Sequence, residues 1–135
     1  MADQIESLIR LRLSTADGHY GGGLVAGAHV LGLFGDAVTE VLIRHDGDEG
    51  LSRVMSTEFL APVHVGDYLE VRAKLVSIGK SSRTVECTAH KVIELIDPNE
   101  SAARVLTDPI LTVKATVVAV VPLDKQRGGA GASPR

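Results

Sequence analysis

Gly21-Gly22-Gly23-Leu24-Val25-Ala26-Gly27-Ala28-His29-Val30-Leu31-Gly32-Leu33-Phe34-Gly35-Asp36-Ala37-Val38-Thr39-Glu40-Val41-Leu42-Ile43-Arg44 is the stretch on which the fold turns. Leu24, Ala28, Leu31, Gly35, Val38 and Leu42 recur at helical spacing, while Val30, Leu33, Phe34, Ala37 and Val41 fall off that stripe. A helix apolar around most of its circumference is buried on several sides. Gly27, Gly32 and Gly35 each cost such a helix roughly 1 kcal/mol relative to Ala, which the close approach of a sheet, another helix or a ligand would explain. Asp36 and Glu40 are the only formally charged side chains between Leu24 and Ile43.

Outward from this helix the chain reads as strands. Ile9, Leu11 and Leu13 alternate with Arg10 and Arg12, which predicts a half-buried strand over 6–15. Asp17-Gly18 and the three glycines make a loop before the helix. His45 to Gly50 form an acidic exit loop; Asp46 and Asp48 resemble part of a calcium loop, but no ligand series follows, so no metal is expected. Further strands are predicted over 51–60, 68–78, 83–96 and 110–121, with a hairpin loop at Gly79 to Ser82. The segment 97–108 reads as an exposed excursion. One helix set against an antiparallel sheet is an α+β arrangement, with a single domain over 1–122 and a disordered tail over 123–135.

Composition narrows the function classes. Hydrophobic residues make up 44% of the 135 and aromatic residues 3%, so the core must be aliphatic. The net charge is -3, with both signs interleaved, which leaves no basic stripe for nucleic acid or an anionic membrane. Cys87 is the only cysteine, which excludes an internal disulfide and fits a reducing, cytoplasmic setting. No apolar run reaches the ~18 residues of a spanning helix, and Met1 to Glu6 has no signal-peptide pattern.

Two sets of motifs then carry a family resemblance. Phe59-Leu60-Ala61-Pro62-Val63-His64-Val65-Gly66-Asp67, with Gly79-Lys80-Ser81-Ser82 beyond it, resembles the F-L-x-P-V-x-x-G-D and G-x-x-S pattern of hot-dog acyl-CoA enzymes. Upstream, His19-Tyr20-Gly21-Gly22, Leu33-Phe34-Gly35-Asp36, Thr39-Glu40 and Asp46-Gly47-Asp48-Glu49-Gly50 resemble the 3-aminobutyryl-CoA ammonia-lyases of lysine fermentation. Asp17-Gly18-His19 lacks the spacing and the Asn of the D-x-x-G-H-x-N thioesterase signature. The resemblance implies a hot-dog fold, a long helix wrapped by a curled sheet. It also implies an acyl-CoA substrate, a homodimer that a trimer of dimers extends, and an active site between subunits.

Asp36 and Glu40, four positions apart, share a helix face, where like charges repel and burial without a partner is unfavourable. Either they emerge at the helix edge or pair with arginines such as Arg10, Arg12 or Arg53, or they do acid–base work, one charged and the other carrying a proton. For an ammonia-lyase the resemblance implies Glu40 as the base for the α proton and Asp36 as the holder of the ammonium, or the reverse. Gly22 and Gly23 offer backbone N–H groups to the thioester oxygen, or are simply a turn. His19 and Tyr20 line the pocket, with His19 a further acid–base candidate. Ser82 and Arg83 are candidate contacts for coenzyme A phosphates. No metal or cofactor is implied, CoA arriving as part of the substrate. The competing activities are an acyl-CoA thioesterase and a non-catalytic acyl-CoA-binding module.

Overall fold

The computed structural model describes residues 5–128. Five strands, β1 (Glu6–Arg12), β2 (Leu51–Phe59), β3 (Tyr68–Ile78), β4 (Ser82–Leu95) and β5 (Ala103–Val120), form one antiparallel sheet in the order β1-β3-β4-β5-β2. A single long helix, α1 (Gly27–Asp46), lies on one face of the open sheet, against β1, β3 and β4. This is the hot-dog arrangement expected from the sequence.

The alternation that identified the strands also decides which side chains meet the helix. Leu69, Val71, Ala73 and Leu75 of β3, Val85, Cys87 and Ala89 of β4, and Val113, Ala115, Val117 and Ala119 of β5 are buried. From the helix come Val30, Phe34, Ala37, Val38, Val41 and Leu42. The helix is therefore covered along one side and not on several: Ala28, Gly32, Asp36, Ile43 and Arg44 are exposed. It also starts three residues later than the pattern predicted. Ala26 is its N-cap with extended backbone angles, and no side chain caps it.

Two segments depart from the sequence expectation. Residues 103–105 pair with 93–95, so the second half of the segment read as an excursion, 103–108, belongs to β5, and only the stretch between Val105 and Ile110 leaves the ladder. Pro109 is tolerated because it lies in that stretch: β4 pairing passes from Val105 to Ile110 and β2 pairs with β5 only from Val113 onward, so no ladder hydrogen bond needs its missing N–H. At the other end, Leu123–Lys125 form a 3₁₀ turn, and Arg127 N–H donates to the Asp46 carbonyl at 2.7 Å while its guanidinium reaches Asp48 at 2.7 Å. Residues 123–128, expected as tail, thus close the C-terminal end of the helix; 129–135 lie outside the described residues.

Inside that end lies a buried ion pair. Asp46 is 3% exposed and Arg83 2% exposed, and two hydrogen bonds of 2.9 Å join them. Arg83 also donates to the carbonyls of Gly79 and Ser82 at 2.9 Å, so the pair ties the β3–β4 hairpin to the helix. Burial pushes the Asp46 carboxyl up, but the hydrogen bonds and charges of Arg83 and His45 outweigh it and hold the carboxyl below its ordinary value.

Replacing Arg83 alone, as Arg83→Met, should destabilise the fold by about 3–5 kcal/mol in urea unfolding, because a buried carboxylate loses its partner. The paired change Asp46→Leu with Arg83→Met should recover much of that. Because the folded Asp46 carboxyl titrates below its unfolded value of about 3.9, its contribution is complete above that pH and disappears as pH falls through the folded value. Urea midpoints from pH 7 to pH 3 should therefore fall less steeply in the double variant than in the wild type.

Candidate active site

The glycine-rich loop is fixed by backbone hydrogen bonds to the Pro62–Asp67 connection. Val25 N–H donates to Val63 at 2.8 Å, and Val65 N–H donates to Gly23 at 2.9 Å; His19 and Tyr20 N–H groups both reach the Leu24 carbonyl at 3.0 Å. Gly22 and Gly23 have φ of +72° and +75°, a region other residues enter only with strain. A Cβ on Gly23 would also stand 2.9 Å from a Val65 methyl. The connection is itself anchored by Asp67, which accepts the His64 N–H at 2.7 Å and faces the buried Lys91 ammonium at 3.2 Å.

Gly22 and Gly23 stand before the helix in a separate turn, not in its first turn. The uncapped amides at the helix terminus are those of Gly27 and Ala28, where backbone N–H groups have no intrahelical acceptor. Beside them opens an apolar groove of about 590 Å³, lined among others by Tyr20, Gly27, Ala28, Phe59, Leu60 and Val113. A smaller cavity of about 230 Å³ includes Gly22, His64, Asp67, Lys91 and Glu94 together with Val65 and Leu95.

The predicted site residues are only partly brought together within one protomer. Tyr20 lines the groove, and the exposed His19 ring packs edge-on against Tyr20 with centroids 4.6 Å apart. Asp36 and Glu40 sit about two and a half and three and a half turns further along the helix, on the side the sheet leaves uncovered. Asp36 is exposed and has no hydrogen bond or ion pair among the described residues. Glu40 is half-buried and accepts from Arg44 at 2.7 Å, a neighbour four residues on rather than Arg10, Arg12 or Arg53. The described residues of one chain therefore do not enclose the two carboxylates together: Asp36 is exposed and Glu40 only half-buried.

Arg83 is a correction. Its guanidinium is enclosed with Asp46 and cannot meet a coenzyme phosphate. Its position in phase with Val85, Cys87 and Ala89 was the signal that it points inward. Ser82, half-buried, offers its carbonyl to Arg83. Cys87 is buried, and burial pushes its thiol up to about 12, which makes it unreactive as expected. Sequence reasoning missed Phe59, Lys91 and the open Gly27–Ala28 amides; the first two were in view as members of strand patterns, the third depends on where the helix begins. No group of three or more potential metal ligands occurs among the described residues, and no helix there is long and apolar enough to cross a membrane.

A long helix over an open antiparallel sheet, with uncapped amides beside an apolar groove, defines the hot-dog acyl-thioester proteins. The chain belongs to the thioesterase superfamily, whose family model matches residues 22–94. Within it, the chain is 49% identical over 125 residues to the 3-aminobutyryl-CoA ammonia lyase of Acetoanaerobium sticklandii, covering 91% of this chain and 99% of that protein. Among solved structures, the β-alanyl-CoA:ammonia lyase of Clostridium propionicum superposes with a TM-score of 0.89 at 34% identity, over 92% of this chain and 90% of that one. A hexameric hot-dog thioesterase of Campylobacter jejuni has a TM-score of 0.71 at 20% identity, over 90% of this chain and 86% of that one, a likeness of fold. The resemblance read from the sequence motifs is thereby borne out.

The anchoring of the loop can be tested directly. Lys91→Met leaves Asp67 as a buried, unpaired carboxylate and should cost about 3–5 kcal/mol of unfolding free energy. Gly23→Ala, forced to keep a left-handed backbone, should cost roughly 1–2 kcal/mol. Chemical denaturation of both variants checks the two magnitudes.

Proposed function

We propose that the protein is a carbon–nitrogen lyase that eliminates ammonia from a β-aminoacyl-CoA, converting 3-aminobutyryl-CoA to crotonyl-CoA. The observation that carries this reading is the 49% identity to a 3-aminobutyryl-CoA ammonia lyase along 99% of that protein. The thioester oxygen sits on the amides of Gly27 and Ala28, with the Gly22–Gly23 turn closing the backbone around the thioester. Charge that develops on that oxygen as the α proton leaves is stabilised by the amides and the helix dipole.

Glu40 takes the α proton. Arg44 holds one of its carboxylate oxygens and leaves the other for the transfer. Asp36, which has no partner among the described residues, receives the β-ammonium. As the α C–H electrons form the new double bond, the C–N bond breaks and its electron pair leaves with ammonia. The elimination is redox-neutral, and CoA enters only as part of the substrate. His19 and Tyr20 shape the mouth of the site, and Ser82 contacts the coenzyme.

The active form is a homodimer, with a trimer of dimers as the next order of assembly. β2 is an edge strand whose Leu51 and Val54 are 72% and 54% exposed, and a second copy pairing there continues the sheet. A copy seated so would cover the helix face that carries Asp36 and Glu40, and bring those carboxylates opposite the partner's helix terminus. A reducing cytoplasm suits the free thiol of Cys87.

Crotonyl-CoA with ammonium should lose its enoyl absorbance without release of free thiol; rapid thiol release instead would identify a thioesterase. Glu40→Gln should lower kcat by about 10²- to 10⁴-fold, and Asp36→Asn should act chiefly on KM for the aminoacyl substrate; an exchange of these effects reverses the two roles. Mixing inactive Glu40→Gln with an inactive variant of the Gly22–Gly23 turn, after co-refolding, should restore about a quarter of the sites if each is built from two chains of a two-fold dimer.

A further inference from the structure

The chain has only two Phe and two Tyr. Phe34 is in the core, and the Tyr68 ring faces the Arg12 guanidinium at 5.7 Å. The remaining two, Tyr20 and Phe59, are 56% and 58% exposed, and both line the groove at the helix terminus. Phe59 ends β2, in phase with the half-buried Met55 and Thr57, so its ring leans toward the helix. It lies against Gly27: a Cβ built there would be 2.5 Å from the ring's Cε1 and 3.0 Å from its Cδ1 and Cζ. The glycine that begins the helix is thus explained by the ring that occupies its side-chain space.

We propose that Phe59 is a specificity-determining residue whose ring limits the length of the acyl chain, admitting a four-carbon β-aminoacyl group and obstructing longer ones. The inference rests on the acyl-CoA lyase reading above. A thioester oxygen bound by the Gly27 and Ala28 amides lies beside the ring, which becomes the surface met by carbons beyond Cβ. Around it Leu24, Val30, Leu60 and Val113 present aliphatic surface and no charge. Removing the ring opens that surface to further methylenes, and each methylene newly buried is worth about fourfold in binding.

The test is kcat/KM for ammonium addition to enoyl-CoAs of four, six and eight carbons, in the wild type, Phe59→Ala and Phe59→Leu. Phe59→Ala should raise the six-to-four-carbon ratio by about tenfold or more, since two methylenes gain contact, and Phe59→Leu should give a smaller rise. An unchanged ratio in variants that still use the four-carbon substrate overturns the role of Phe59 and leaves the lyase reading intact. Absence of turnover with every enoyl-CoA in the wild type overturns the lyase reading itself. Phe59→Leu, which keeps apolar cover over the helix terminus, decides the matter if Phe59→Ala is inactive.

Discussion

The carboxylate of Asp67 is the point on which the working end of the fold depends. Its side chain accepts the His64 N–H and faces Lys91 of β4, while its backbone carbonyl accepts the N–H of Leu13 at the end of β1. Through these contacts the Pro62–Asp67 turn is held at one position between three elements, and the glycine-rich loop is in turn sewn to that turn. The uncapped helix terminus is consequently positioned by strands rather than by its own capping chemistry. A carboxylate 3% exposed is stabilised here by an ammonium 3.2 Å away together with the His64 N–H.

The opposite side of the helix shows a different logic. Gly32 and Gly35 have no atom within 4 Å of where a side chain would begin, so neither is required by packing inside the protomer. They lie on the same side as Asp36, where bare backbone and a free carboxylate face outward together. Small residues on an exposed helix face permit close approach of a neighbour. That face and the open edge at β2 are surfaces the described residues leave uncovered, and the two carboxylates lie on the first of them, apart from the groove.

Much of this was legible in the sequence because period two and period 3.6 are imposed by geometry. β3 was predicted with its observed bounds, as Leu69, Val71 and Ala73 alternate cleanly with Glu70, Arg72 and Lys74. The hidden parts were those where pattern and chemistry conflict. Arg83 and Lys91 occupy inward positions of β4, and their charges argued for solvent although the alternation pointed to the core. Asp46 follows Leu42 by one helical turn and is buried for the same reason. In each case an opposite charge from a distant segment compensates, which no local window reveals. The early part of β5 was obscured by Asp108-Pro109, residues that weaken a strand except where, as here, no ladder partner is paired with them. The candidate site was legible as residue types and not as a constellation, because its groove and its carboxylates are placed on different faces.

The closure of the helix at Asp46 has a consequence for how the chain is made. Arg127 provides the hydrogen bond to the Asp46 carbonyl and the partner of Asp48, and Gln126 bridges the carbonyls of Lys80 and Val121. Those residues are synthesised after every strand. During translation the helix and all five strands therefore emerge with a last turn still open to water, and the Asp46–Arg83 pair lacks its outer cover until about eighty further residues have followed the helix. Completion of this end is a late event on the ribosome, one that couples the finished state of the helix to arrival of the distal segment.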